Sequence, residues 1–474
     1  MPPTVAELLR AIPDETVVEE RQNASEELRA LYERLEKRSI PTGAIHRFWK
    51  LSGLQARIGF AYAAYWIKGW YQTQDQRQAD LLETHLSAAM KLLETMGFMR
   101  GAVMKVGQIL ASFPDIVPDE FVKSLGHLHF QAPAMHYSLI REQLIDELGD
   151  DPADVFSSFE TEAFAAASLG QVHRARLKSG EPVAVKIQYP GIARTIRSDF
   201  RVLLALMSPL RLSNDWSNLR DQMTEIESTL KRETDYEQEA EFLRMARSLF
   251  SEEDGVIVPR VYDRYSTRRV LTMEYIDGRV TPEFLATKPS QELRDASSEK
   301  IYRAGCRLTA QRRMYYSDMH PGNFIFREDG SVGMIDFGGV RVLDDDEWEY
   351  LRLSQDSRVG TRDDVLSHIQ RSLLLSDERM QKIPELIDVM VEFCDYYWQP
   401  LRQEGPFDFS DPEYLRRGFD LMARTARHRH SRQRPVNLYM HRASFELAAL
   451  FYQLKSRFDC KAIWDDEKRA TGWE

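Results

Sequence analysis

Two short polar segments limit what this chain can fold into more than any other feature. Asp318-Met319-His320-Pro321-Gly322-Asn323 sets an aspartate and an asparagine five residues apart, and Asp336-Phe337-Gly338 begins thirteen residues after that asparagine. Proline and glycine force a loop between Asp318 and Asn323. Asp336 directly follows a short apolar run, Val332–Ile335, so its carboxylate stands at a strand end beside a glycine that permits unusual backbone angles. Asn323 and Asp336 together supply the hard oxygen donors that a magnesium ion takes along with phosphate and water oxygens. Alone, each segment is weak, because Asp, Asn, Pro and Gly are common turn residues.

Their setting adds weight. Val172–Leu177 alternates apolar and polar, Lys178-Ser179-Gly180 turns, and Val183-Ala184-Val185-Lys186-Ile187 reads as the returning strand, so this is a hairpin with Lys186 late in an apolar strand. Val270–Tyr275 reads as a further strand, stopped by Asp277-Gly278, and Asn323–Phe326 and Val332–Ile335 as two short ones. Helices are expected at 78–113, Tyr137–Leu148, 191–250, about 290–313 and through most of 345–474. A small sheet followed by a helical half gives an α+β fold of two lobes. The expected division is a helical N-terminal extension at 1–80, a helical segment at 81–150, a small lobe with a helical insertion at 151–275, a large lobe at 276–400 and a helical C-terminal region at 401–474.

Taken in order, lysine strand, connector, Asp…Asn loop and Asp-Phe-Gly resemble the machinery of protein kinases, which implies a bilobal protein-kinase-like fold. That resemblance gives Lys186 to the α- and β-phosphates of ATP or ADP, Asp318 to the attacking hydroxyl, and Asn323 and Asp336 to Mg²⁺. Main-chain groups of Glu274 and Ile276 would meet the adenine, with Met273 at the rear of the pocket. Two departures from ordinary protein kinases are visible. No Ala-Pro-Glu follows Asp336; the chain passes through Gly338-Gly339-Val340-Arg341 into Asp344-Asp345-Asp346-Glu347. In place of a glycine-rich phosphate loop stands Ala165-Ala166-Ala167-Ser168-Leu169-Gly170-Gln171-Val172, and alanine restricts the backbone where glycine frees it.

The alanine-rich loop, Lys105-Val106-Gly107-Gln108 and Glu233-Thr234-Asp235 together resemble the UbiB/AarF group of atypical kinases associated with quinone biosynthesis. From the residues alone, Lys105 and Gln108 share a helix face, and Glu237, Glu239 and Glu241 are all available to Lys186. Glu233 and Asp235 cannot share a helix face, so either one of them stands at a helix kink or end, or only one bonds Lys105. The resemblance implies Glu239 as the partner of Lys186. It also implies a regulatory lid over the nucleotide cleft, in which Lys105 and Gln108 meet Glu233 and Asp235 and exclude protein substrates. Its implied function is Mg²⁺-dependent ATP hydrolysis or phosphotransfer supporting ubiquinone or isoprenoid-lipid metabolism at a membrane surface. The alternatives weighed are a small-molecule kinase of the aminoglycoside or choline type and a nucleotide-gated lipid-binding or scaffold protein.

Composition sets the outer limits. With 63 Lys and Arg against 74 Asp and Glu, the net charge of −11 opposes general nucleic-acid binding, so no nucleic-acid partner is expected. Cys306, Cys394 and Cys460 lie far apart, as suits a reducing compartment, and the acidic first twenty residues do not read as a targeting segment. The expected location is cytoplasmic, peripheral at the inner face of a membrane. Lys37–Gln74 has no acid, six Lys or Arg and eight aromatic residues, which suits either an anionic lipid surface or simple packing. The basic run from Arg424 to Arg434 reads as a solvated loop or, second, an anionic-lipid contact, and no zinc site is read at His428 and His430.

Overall fold

The computed structural model describes residues 135–167, 169–192, 224, 227–228, 231–428 and 433–472. Lys105, Gln108, Ser168 and the 37–74 stretch lie outside them. The elements below belong to one compact unit, Met135–Pro190 with Lys231–Glu474.

The small lobe begins with α1 (Tyr137–Leu148), β1 (Phe156–Phe159), β2 (Ala165–Ala167), β3 (Gly170–Leu177) and β4 (Pro182–Gln188). It continues with α2 (Tyr236–Arg247), β5 (Val256–Ile257) and β6 (Val270–Glu274). The sheet runs β1-β3-β4-β6, with β2 also paired to β3. Strand β3 alternates between buried and more open positions, whereas β4 is buried at every position after Pro182 because it lies between β3 and β6. The hairpin turns at Gly180, whose φ of 103° only glycine adopts without strain. Ile140 and Leu144 of α1 pack on Val183, Val185, Ile187 and Val270, so this helix completes the small-lobe core.

Helix α2 is specified at both ends. Asp235 caps it by accepting from the Gln238 N–H, acids Glu237 and Glu239 occupy the first turn, and Arg244 and Arg247 the last, matching the helix dipole. Its buried face, Tyr236, Ala240, Leu243 and Ala246, fixes which glutamate points inward: Glu239 is buried, while Glu237 and Glu241 are exposed.

The large lobe is built on α3 (Thr281–Ala286) and the 22-residue α4 (Gln291–Arg312), followed by β7 (Met314–Tyr316), β8 (Phe324–Phe326), β9 (Val332–Met334) and β10 (Val340–Val342). β5, β9 and β8 form one small sheet, and β7 pairs with β10. Then come α5 (Asp345–Val359), α6 (Arg362–Ser372), α7 (Asp377–Lys382), α8 (Pro384–Arg402), α9 (Pro412–Arg427), α10 (Pro435–Leu454) and α11 (Cys460–Ala470). One apolar cluster runs from Tyr236, Leu243 and Met273 through Ile301, Phe324 and Phe337 to Leu450 and Trp464, joining the lobes behind the cleft. Burying each such side chain contributes about 1.5–3 kcal/mol.

The fold is the expected α+β, protein-kinase-like one, with several local differences. The alanine-rich segment is not all loop: Ala165, Ala166 and Ala167 form β2, opposite Val172, Gln171 and Gly170. Asn323 closes a 3₁₀ turn (Pro321–Asn323) instead of opening a strand, because Pro321 and Gly322 curl the chain and His320 Nδ1 caps the turn by accepting from the Gly322 N–H. Ile335 and Tyr275 fall just past their strands. Strands β1, β7 and β10 were not read from the sequence. Among the described residues no helix is long and apolar enough to cross a membrane.

Candidate active site

The cleft is organised around Lys186. From the middle of the sheet its Nζ donates to Glu239 Oε1 at 2.8 Å and Oε2 at 2.9 Å, and to Asp336 Oδ2 at 3.2 Å. The ring of Tyr236 lies 5.1 Å below the same nitrogen. Burial opposes the charge on Lys186, but Asp336 and Glu239 outweigh it and hold its pKa well above the ordinary lysine value. Burial likewise pushes Glu239 up, against the pull of Lys186 and with repulsion from Asp336 adding, to about 7.

Asp336 and Asn323 stand at the same end of the β8–β9 hairpin. Phe324 pairs with Met334, and the Ile335 N–H donates to the Asn323 carbonyl at 3.1 Å, directly before Asp336. Asn323 Nδ2 donates to the Asp318 carbonyl at 3.0 Å, which leaves Oδ1 as the atom of this side chain that can meet a metal. Asp336 Oδ1 accepts from the Gly338 N–H at 2.9 Å. Close approach explains both glycines of the following pair. A Cβ on Gly338 would lie 3.2 Å from Asp336 Oδ1 and 3.4 Å from Glu239 Oε2, and one on Gly339 would lie 2.7 Å from Asp318 Cβ.

Asp318 is held from the far end of the chain. Arg442 on α10 donates through Nη2 to Asp318 Oδ1 at 3.1 Å and through Nε to Glu446 Oε1 at 2.8 Å, and Glu446 Oε2 accepts from the Met319 N–H at 2.9 Å. Burial opposes the Arg442 charge, but Glu446 and Asp318 keep its pKa raised; burial also raises that of Glu446. Thr281, fully buried, braces the same loop by donating to the Pro321 carbonyl at 3.0 Å.

The remaining candidates divide. Met273 is buried in β6, and Ile276 packs its side chain over Gly333 of β9. The Glu274 carboxylate turns to Arg247 and the Arg260 N–H, and its own N–H donates to the Arg260 carbonyl, leaving only its main-chain carbonyl for the cleft. Leu169 is buried and Gly170 is pressed against the Ile187 carbonyl, while Ala165 and Ala166 are exposed. Asp235 is the α2 cap and pairs with Arg268 at 3.3 Å, so it stands at a helix end, one of the arrangements left open for the two acids. Contacts of Glu233 and Asp235 with Lys105 and Gln108 lie outside the described residues. The C-terminal basic run is tied down on both sides of 429–432: Arg424 forms a two-pronged pair with Glu392, and Arg434 pairs with Asp346. After Gly339 the chain enters β10 at once and reaches the capping box of α5, Asp344 with Glu347, leaving no room for a long activation segment.

Sequence reading missed Arg442 and Glu446. The usable signal was an i, i+4 arginine–glutamate pair inside an otherwise apolar stretch, since such a pair inside a buried helix requires a partner.

The donor set fits a magnesium nucleotide. Glu239, Asp336, Asp318 and Glu446 set four carboxylates against the two cations Lys186 and Arg442. A divalent ion offsets such an excess, and oxygen donors are the ligands Mg²⁺ takes.

A small sheet carrying a glutamate-paired lysine, packed on a helical lobe carrying Asp318, Asn323 and Asp336, defines a protein-kinase-like domain of the atypical kind. Residues 127–357 match the family described as ABC1 atypical kinase-like domain. Residues 127–357 thus carry an ABC1 atypical kinase-like domain, and the chain is similar to atypical kinases. It is 27% identical over 455 residues to the zebrafish (Danio rerio) atypical kinase COQ8B, mitochondrial, covering 94% of this chain and 72% of the relative. It is 31% identical over 315 residues to the Saccharomyces cerevisiae atypical kinase COQ8, mitochondrial, covering 66% of this chain and 62% of the relative. A solved Mycobacterium tuberculosis structure, that of Rv3197 in complex with erythromycin, superposes with a TM-score of 0.54 at 27% identity, covering 83% of this chain and 98% of that one.

Proposed function

We propose that the chain binds ATP with Mg²⁺ and transfers the γ-phosphoryl group to water or a small hydroxyl acceptor, in support of ubiquinone or related isoprenoid-lipid metabolism. The observation that carries this reading is the three-way contact of Lys186 with Glu239 and Asp336. A buried lysine between two carboxylates is a phosphate anchor held in place before its ligand arrives.

In this reading Lys186 holds the α- and β-phosphates and Glu239 orients it. The β2–β3 hairpin, Ala165 to Val172, covers the phosphates. Met273 backs the adenine, and the main chain at Glu274 and Ile276 meets its edge. Asn323 Oδ1 and Asp336 hold Mg²⁺, which neutralises phosphate charge when bound. Asp318, fixed by Arg442, accepts a hydrogen bond from the attacking water or hydroxyl and lines it up. The short Gly339–Asp344 connection leaves no platform for a protein substrate, which favours a small acceptor. The lipid-metabolism part leans on the named COQ8 relatives and on the cationic, aromatic 37–74 stretch, which favours an anionic membrane surface.

The test is ATP turnover by the full chain with and without anionic liposomes, beside Asp336→Asn and Lys105→Ala. Turnover in the parent that falls at least a hundredfold in Asp336→Asn supports phosphoryl transfer. Equal turnover in both chains sinks it. Lys105→Ala indistinguishable from the parent in nucleotide binding and autophosphorylation removes the lid.

A further inference from the structure

One buried polar group beside Lys186 takes no part in the network described above. Tyr236 opens α2 and is 2% exposed, and its hydroxyl has no hydrogen-bond partner among the described residues. A buried hydroxyl in that condition costs stability that a plain ring of the same shape would not. The carboxylates around it are already engaged. Both oxygens of Glu239 accept from Lys186, and those of Asp336 accept from Lys186 and from the Gly338 N–H.

Strand register says where this hydroxyl stands. Val183 pairs with Glu274 beside the adenine position, Lys186 with Val172, and Gln188 with Gly170, so β4 leads away from Glu274 past Lys186 to Gly170. Opposed residues share a face of the sheet, and so do positions two apart, which puts Gly170 on the face that carries Lys186. The Tyr236 hydroxyl lies against Gly170 on that face, 3.0 Å from where a Cβ would be. Lys186 Nζ stands 5.1 Å from the centre of the same ring. The hydroxyl is therefore beyond Lys186 as seen from the adenine end, under the start of β3.

We propose that the Tyr236 hydroxyl is a phosphate-binding donor, meeting the terminal phosphate of a triphosphate whose α- and β-phosphates Lys186 holds. This rests on the function proposed above and deepens it. Phosphate oxygens only accept, and burial, opposed by Lys186, raises the pKa of the phenol, so it keeps its proton at neutral pH. Gly170 belongs to the β2–β3 hairpin that closes over the phosphates, so the movement that admits the nucleotide uncovers the donor. The ring stays fixed by its contact with the Lys186 cation and by its place in the core.

The experiment compares the full chain with Tyr236→Phe, which keeps the ring and loses only the oxygen. Equilibrium binding of ATP and of ADP is measured with Mg²⁺, and the melting temperature is taken without nucleotide. ATP affinity should fall about tenfold, the scale of one hydrogen bond to a charged group. ADP affinity should change less than twofold, and the melting temperature should equal or exceed the parent's, since an unpartnered buried oxygen is gone. ATP affinity equal to the parent's overturns the inference alone. Equal losses for ATP and ADP overturn the terminal-phosphate assignment. A lowered melting temperature with weaker ATP binding also overturns it, because the hydroxyl would then be merely structural. A parent that binds no ATP overturns the proposed function and this inference with it.

Discussion

Arg442 Nη2 stands 3.1 Å from Asp318 Oδ1, across 124 positions of sequence. The contact makes α10, beyond the matched family segment, part of the site. Arg442→Ala leaves the Asp318 and Glu446 carboxylates facing each other with their cation gone. Removing one partner of such a buried set costs about 3–5 kcal/mol. Urea unfolding should show that loss, and Arg442→Ala combined with Glu446→Gln should recover part of it. Equal stability of parent and Arg442→Ala would contradict the arrangement.

Glu239 gives the cleft a pH dependence near neutrality. Its pKa is about 7 in the fold against 4.5 for an ordinary glutamate, so between these values the folded state holds more protons than the unfolded one. This group's contribution to stability therefore declines as pH rises from about 4.5 to about 7, then levels off, by roughly 3 kcal/mol in all. Lys186 works in the same direction at high pH: its raised pKa contributes stability that is full below about 10.5 and is lost as pH climbs through the folded value. Nucleotide affinity should strengthen through pH 7 as Glu239 ionises and grips Lys186. Glu239→Gln should abolish that inflection, and Glu237→Gln or Glu241→Gln should retain it.

Glycine positions separate close approach from helix propensity. Gly170→Ala would put a Cβ 2.2 Å from the Ile187 carbonyl oxygen, and Gly339→Ala one 2.7 Å from Asp318 Cβ. Both should lower the melting temperature, and Gly339→Ala should also weaken Mg²⁺-dependent ATP binding by shifting Asp318. Gly305→Ala inside α4 meets only Met319 Cε at 3.4 Å. Exchanging that helical glycine should be neutral or stabilise by up to about 1 kcal/mol.

Lys186, Asp318, Asn323 and Asp336 were legible in the sequence because each sits in a local signature: a lysine in an apolar strand, a Pro-Gly loop, a carboxylate at a strand end. Glu239 was not separable from Glu237 and Glu241 by residues alone. Packing decides it, since Tyr236, Ala240 and Leu243 bury the face that carries Glu239. Strands β7 and β10 were missed because, unlike the equally short β8 and β9, no turn in the sequence joins them to each other. They acquire strand form only by pairing with each other, which is a tertiary event.

The central claim is that Lys186, Asn323 and Asp336 form one anchor for a metal-bound triphosphate. The direct measurement is equilibrium ATP binding by the full chain as Mg²⁺ is titrated, beside Asp336→Asn and Lys186→Ala. The account predicts ATP affinity that rises with Mg²⁺ in the parent, loses its metal dependence in Asp336→Asn and falls in Lys186→Ala with or without metal. Parent-like Mg²⁺-dependent binding in both variants would contradict it.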